Sequence, residues 1–274
     1  MSAVDSPAGR FRPGWRPALA RPGGRQLAHA GLGLAGLGLL LLLWWAGTDL
    51  LAAEGSFARR FSPERALPAL AGLAAGPGLW LHIMASLRRV LVGLGFALAI
   101  GVPLGLLVGV SRRAAALTTP AFQFLRMVSP LSWMPVAVLV FGVGDMPIYF
   151  LLAAVAVWPV MLNTSAGVQQ LNPHWLQLSQ SLAATRSETL LHVVLPGVLG
   201  QVLTGLRLAI GISWVVLVPC EMLGVQAGLG YFILDTRDRL AYEELAAVIL
   251  VIGVIGYALD SAARLAIRRF AAGE

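Results

Sequence analysis

Apolar residues run almost without interruption at 31–51, 90–110, 146–168, 202–222 and 245–265, with a shorter stretch at 127–143. Crossing the hydrocarbon core of a bilayer takes about 20 apolar residues in a helix, so the pattern predicts six membrane-spanning helices. Span two carries Gly93, Gly95, Gly101, Pro103, Gly105 and Gly109. Such small residues let helices approach closely where lipid removes the hydrophobic drive between them. Pro130 and Pro135 predict that the third span has a broken start shielded by protein. Gly142-Val143-Gly144-Asp145 predicts a tight turn before span four, which holds Trp158, Pro159 and Asn163.

The polar segments divide the chain further. Arg10, Arg12, Arg16, Arg21 and Arg25 lie among prolines and glycines, which reads as a disordered basic tail over 1–28 ahead of a membrane domain over 29–274 with its core at about 80–268. A signal peptide is the competing reading of 31–51. The long tail, the long apolar core and the lack of a small-x-small site favour a retained span. Residues 52–89 are polar enough to lie outside, with Phe61-Ser62-Pro63-Glu64 opening a short surface helix. With the N-terminus in the cytoplasm, 13 arginines fall on the inner segments and 7 on the outer, so the positive-inside rule places both termini in the cytoplasm. The inner count includes Arg112, Arg113 and Arg126 after span two, and Arg186 and Arg207 between spans four and five.

The longest inner connection, about 169–201, is amphipathic where a simple loop would be polar. Asn172-Pro173 reads as a helix cap followed by proline at the first helical position. Trp175, Leu178 and Leu182 then recur at helical spacing opposite Gln177, Gln180 and Ser181. Ser187-Glu188 is expected to cap a second short helix, which Leu195-Pro196 ends. Two short helices meeting at an elbow make a knob suited to a groove on another protein. An interfacial helix lying on lipid is the alternative.

Composition sharpens the picture. The chain is 58% hydrophobic and 12% charged, with a mean hydropathy of +0.79, outside the soluble range. The net charge of +7 comes from scattered arginines with no basic stripe, which argues for orientation in a membrane and against nucleic acid. All 20 basic residues are arginine. A chain without lysine has no Walker phosphate loop, Schiff base or Ser-Lys dyad, so a nucleotide that drives it must be bound by another subunit. The four histidines show no ligand spacing, and neither a metal nor a cofactor is expected. Cys220, the single cysteine, reads as a small buried hydrophobe. Gly211-Ile-Ser213 has no histidine in a span to serve it, which weighs against an intramembrane protease.

Leu182-Ala-Ala-Thr-Arg-Ser-Glu-Thr-Leu-Leu-His-Val-Val-Leu-Pro196, followed by Thr204-Gly-Leu-Arg-Leu-Ala-Ile-Gly-Ile-Ser-Trp214, resembles the signature loop of bacterial ABC-importer permeases. Glu221-Met-Leu-Gly224, Gly228-Leu-Gly-Tyr231, Ile233-Leu-Asp235 and Val251-Ile-Gly-Val-Ile-Gly256 resemble the branch serving nitrate, sulfonate, taurine and related small anions. Ser86-Leu-Arg-Arg-Val90, Gly101-Val-Pro-Leu-Gly105, Trp133-Met-Pro135 and Phe141-Gly-Val-Gly-Asp145 are similar too. The likeness spans about residues 60–265. It implies an all-α membrane protein of the type I importer permease (MetI-like) fold with cytoplasmic coupling helices, in a bacterial inner membrane. It further implies a second permease copy, ABC ATPase subunits and a periplasmic or lipid-anchored solute-binding protein. The family's Glu-Ala-Ala triplet falls on Gln177-Leu178-Ser179 and its usual glycine on Ala183, both departures from the pattern. Coupling to the ATPase is expected at Gln177, Ser181, Ala183, Ala184, Thr185, Leu195 and Pro196.

Charged and amide residues in or near the spans are the pathway or gate candidates: Asn163, Arg207, Glu221 and Asp260. For Glu221 a pair with an outer-loop arginine such as Arg237 competes with gating. For Asp260 an i,i+4 pair with Arg264 competes. For Asn163 the competing role is a hydrogen bond between helices.

Overall fold

The computed structural model describes residues 22–53 and 56–271, and no strand occurs among them. Eleven α-helices follow in order: α1 Pro22–Trp45, α2 Pro63–Ala75, α3 Pro77–Val110, α4 Arg112–Met127, α5 Met134–Phe141, α6 Asp145–Gln169, α7 Pro173–Ser181, α8 Arg186–Thr189, α9 Leu195–Glu221, α10 Leu229–Asp238 and α11 Tyr242–Ala271. Five helical stretches are long and apolar enough to cross a bilayer, and the bent pair α4–α5 makes a sixth. The predicted tail lies outside the described residues up to 21, whereas 22–28 belong to α1.

The longest seam joins α3 to α6. Gly93, Ala97, Gly101, Gly105 and Gly109 recur every four residues on α3 and form one small-residue stripe. A methyl group added at Gly93 would stand 2.6 Å from Leu152 Cβ, at Gly101 3.0 Å from Val160 Cβ, and at Gly105 2.6 Å from Thr164 Cβ. At Gly109 it would stand 2.6 Å from Val168 Cβ. The opposing residues on α6 also step by four, so the two i±4 ridges follow each other along the contact. Gly95 lies off the stripe, with open space around it. α9 packs on α6 and also touches α3, and α11 packs on α9, where the Trp214 indole donates to the Ile252 carbonyl (3.1 Å).

Several boundaries differ from expectation. α3 starts at Pro77, well before residue 90, because the charges of Arg88 and Arg89 are taken up by partners on other helices. Residues 112–127, expected as an inner loop, form α4, capped by Ser111, whose hydroxyl accepts from Ala114 N–H at 3.2 Å. The chain then turns by 85°. Val128 and Ser129 are extended ahead of Pro130, the geometry a residue before proline favours, and a short 3₁₀ turn leads into α5. The predicted break in the third span is therefore present, and Arg126 lies inside that span. Arg207 likewise lies within α9. Leu195-Pro196 does not end the second short helix. One π-helical turn, Leu190–Val194, joins α8 to α9, and the helix runs on through Pro196 directly after that wide turn.

Three predicted local signals are present. Pro63 opens α2 behind Ser62. Gly142 (φ 79°) and Gly144 (φ 135°) form the turn that delivers Asp145 to the start of α6. Cys220 is fully buried and unpaired in α9.

The seam makes a paired prediction. Gly105→Val drives a side chain into α6, and overpacking of this kind costs about 1–3 kcal/mol. The thermal midpoint of the purified protein in detergent therefore falls. Gly95→Ala leaves it unchanged or raises it.

Candidate functional site

At one end of the bundle, between α6 and α9, the chain folds into the predicted elbow. Asn172 Oδ1 accepts from His174 N–H at 3.0 Å, and Pro173 opens α7. Trp175, Leu178 and Leu182 are 59%, 51% and 74% exposed, so the apolar stripe of α7 points away from the chain's own body. Gln177, at the acid's place in the family triplet, is exposed too, while Ser179 is buried and donates to the Leu176 carbonyl (2.9 Å).

Ala183 closes the helix in the left-handed region, φ 53°. Its N–H donates to Gln180 O (3.0 Å) and that of Ala184 to Ser179 O (3.0 Å). These are the two bonds of a Schellman motif, whose left-handed residue is usually glycine because a Cβ there is strained. The family's glycine thus falls on the residue whose φ calls for it, and alanine occupies it here at a cost in strain. Thr185, not Ser187, caps the second helix. Its hydroxyl accepts from Glu188 N–H (3.3 Å) and Glu188 Oε2 accepts from Thr185 N–H (2.7 Å), a full capping box. The elbow brings Gln177, Ser181, Ala183, Ala184 and Thr185 together, and Leu195 and Pro196 follow one π-turn later.

The opposite end holds a buried ionic cluster that sequence reasoning missed. Arg89 on α3 is 3% exposed and Glu221 on α9 is fully buried. Arg89 Nη1 donates to Glu221 Oε1 (2.6 Å) and to the Ala227 carbonyl (2.6 Å). Its Nε and Nη2 donate to Asp145 Oδ1 on α6 at 2.9 and 2.7 Å. Arg88 also pairs with Asp145. Ser86 donates to the Glu221 carboxylate (2.8 Å) and accepts from Leu229 N–H (2.9 Å), and Gly230 N–H donates to Glu221 Oε2 (3.0 Å). Gly228 (φ 121°) and Gly230 lie so close that a Cβ on either would strike the Glu221 side chain. Glu221 therefore pairs with Arg89 and not with Arg237, whose partner is Asp238.

The remaining candidates sit apart from both ends. Asp260 meets Arg264 one turn on (2.7 Å), as its spacing predicts, and also accepts from Arg207 Nε on α9 (2.8 Å). Asn163 does not bond between helices; its Nδ2 donates to Pro159 O of its own helix (2.8 Å). A cavity of about 510 Å³ lies between α3, the α4–α5 break, α6 and α9, lined by Ile100, Arg126, Trp133 and Trp158 among others, and none of the four pathway candidates lines it.

Residues 101–272 match the family described as binding-protein-dependent transport system inner membrane component. The chain belongs to this family and is a multi-pass membrane component of the ABC-transporter permease class. It is 34% identical over 257 residues to the bicarbonate transport system permease protein CmpB of Synechococcus elongatus, covering 91% of this chain and 92% of that one. It is 32% identical to the taurine transport system permease protein TauC of Escherichia coli, over 87% of this chain and 88% of that one. Its fold resembles a chain of the MetNI methionine ABC transporter at a TM-score of 0.60 and 16% identity, covering 70% of this chain and 94% of that one.

Breaking a buried ion pair from one side leaves the other charge unpartnered, a loss of about 3–5 kcal/mol. Glu221→Ala and Arg89→Ala each sharply lower folded yield and thermal midpoint, measured by size-exclusion chromatography in detergent. Arg237→Ala leaves both unchanged.

Proposed function

We propose that this chain forms the membrane path of an ATP-driven importer for a small anion such as nitrate, a sulfonate, taurine or bicarbonate. Two copies enclose the path, each seats its elbow on a separate ATPase subunit, and a periplasmic or lipid-anchored binding protein delivers the solute. Both termini and the elbow face the cytoplasm. The elbow carries this reading: two short helices, each with its own capping motif, present an apolar stripe that the chain itself leaves uncovered. A lone loop would not be held so firmly, and a helix bedded in lipid needs no elbow of defined angle. The relatives' names supply the solute class.

The permease does no bond chemistry. Closure of the docked ATPases is a movement, and rigid elements pass it to the spans so that a central cavity opens to alternate sides. Selection of the solute falls largely to the binding protein.

Reconstituted in proteoliposomes with its ATPase and binding protein, the chain takes up one of nitrate, bicarbonate or taurine only when ATP is supplied. Uptake of equal rate without the ATPase, driven by an ion gradient, would instead make it a secondary transporter or channel. Ala183→Trp inserts and assembles but uncouples ATP hydrolysis from uptake, and unchanged uptake in this variant counts against the elbow's role. Ala183→Gly relieves the left-handed strain, worth about 1 kcal/mol, and preserves uptake.

A further inference from the structure

Among the described residues two paired clusters hold charges of the spans, Arg88–Arg89–Asp145–Glu221 and Arg207–Asp260–Arg264. Arg126 belongs to neither. It stands where the third span breaks and lines the 510 Å³ cavity, whose other walls come from Ile100 on α3, Phe150 to Pro159 on α6, and Ile212 and Val216 on α9. The lining runs from Phe150 and Val216, little more than a turn from the Arg89 cluster, to Pro159 and Ile100 further along their helices, and it does not reach the elbow. Arg126 is exposed, at the end of α4, on the open side of this cavity, and because arginine does not shed its proton its guanidinium calls for an anionic partner or water.

Two other groups share the wall. Trp133 and Trp158 both line the cavity, and an indole N–H donates without ever accepting. Neither finds an acceptor among the described residues, as is also true of the exposed Trp175 on α7, whereas the indoles of Trp44, Trp45, Trp80 and Trp214 each do. No carboxylate, amide or hydroxyl side chain lines the cavity. Its side chains therefore offer one fixed positive charge and two hydrogen-bond donors in an otherwise apolar wall, and nothing that would attract a cation. The volume falls in the range of about 300–1,000 Å³ usual for small-molecule sites.

We propose that this cavity is a station for a singly charged oxyanion on the translocation path. Arg126 makes the charge-assisted bond, and the N–H groups of Trp133 and Trp158 complete the cradle. The flat guanidinium fork matches two oxygens of one anion, which a lysine ammonium matches less well. One cation in an apolar wall balances one negative charge, so a multiply charged anion is disfavoured by the desolvation it leaves uncompensated. The proposal rests on the anion-importer reading above and locates where in this chain the anion is held.

The test uses the full complex of permease, ATPase and binding protein in proteoliposomes, with nitrate, bicarbonate and taurine as probes, the last a zwitterion whose sulfonate end is the group the station would hold. For whichever probe the wild-type complex carries, Arg126→Gln lowers uptake at least about tenfold, the factor set by losing one hydrogen bond to a charged group. Arg126→Lys recovers part of that loss, which a purely packing role would not allow. Trp133→Phe and Trp158→Phe, which keep an aromatic ring and delete the N–H, each lower uptake a few-fold. Wild-type uptake in Arg126→Gln overturns the proposal. So does an Arg126→Gln permease that no longer assembles with its second copy on size-exclusion chromatography, which would make the cavity an interface between copies. If the wild-type complex shows no ATP-driven uptake of any probe, the importer reading itself fails and the station falls with it.

Discussion

In a bilayer two helices gain nothing by hiding apolar surface from each other, because the lipid they displace is as apolar as they are. What holds them is contact itself, and contact strength falls steeply with distance. The α3–α6 seam meets this constraint by removing side chains from one partner: every fourth residue of α3 from Gly93 to Gly109 is glycine or alanine, and the facing α6 residues fill the groove. α9 then docks on an adjoining face of α6, and Gly205 brings its backbone against Pro159 O. The register of that seam also sets the electrostatics. With Gly93 against Leu152, Arg89 one turn before Gly93 on α3 meets Asp145 two turns before Leu152 at the start of α6, and the ionic cluster forms where the close contact ends.

The two ends of the bundle differ in kind. Near the Arg89 cluster, α3, α6, α9 and the start of α10 are tied by charges and backbone N–H groups buried from solvent, an arrangement that resists local opening. At the elbow the cohesive contacts are local, made by caps and one left-handed turn, and the apolar side chains of α7 face outward. One end conserves its own geometry, and the other is shaped by short-range rules that leave a face available.

Much of this was legible in the sequence because it depends on near neighbours. Apolar run lengths give the spans, Asn172-Pro173 gives the start of α7, the glycine pair gives the turn before α6, and Asp260 with Arg264 are one turn apart. Thr185-Arg-Ser-Glu188 carries the capping-box spacing, so the correct cap was readable although Ser187 was the expectation. What escaped depends on distant partners. Arg89 and Glu221 are 132 positions apart, and without knowing that they meet, the Arg88-Arg89 pair reads as the polar edge of a loop. α4 was hidden by its composition: charged at its start and with Pro120 inside, it looks like a connection. Arg126 reads as an inner-loop charge for the same reason.

The helical run from Arg186 to Glu221 is 36 residues long, interrupted by nothing more than a single wide turn. At about 1.5 Å per residue it spans roughly 50 Å, the full depth of a membrane with its headgroups. One extremity is the elbow and the other is a carboxylate clamped by Arg89. Such a rod behaves as a lever with a fixed far bearing: a sideways nudge at the free tip has to be answered by pivoting about the clamp, so a wide sweep at the elbow is geared down to a small displacement at Ile212 and Val216, which border the cavity close to the bearing.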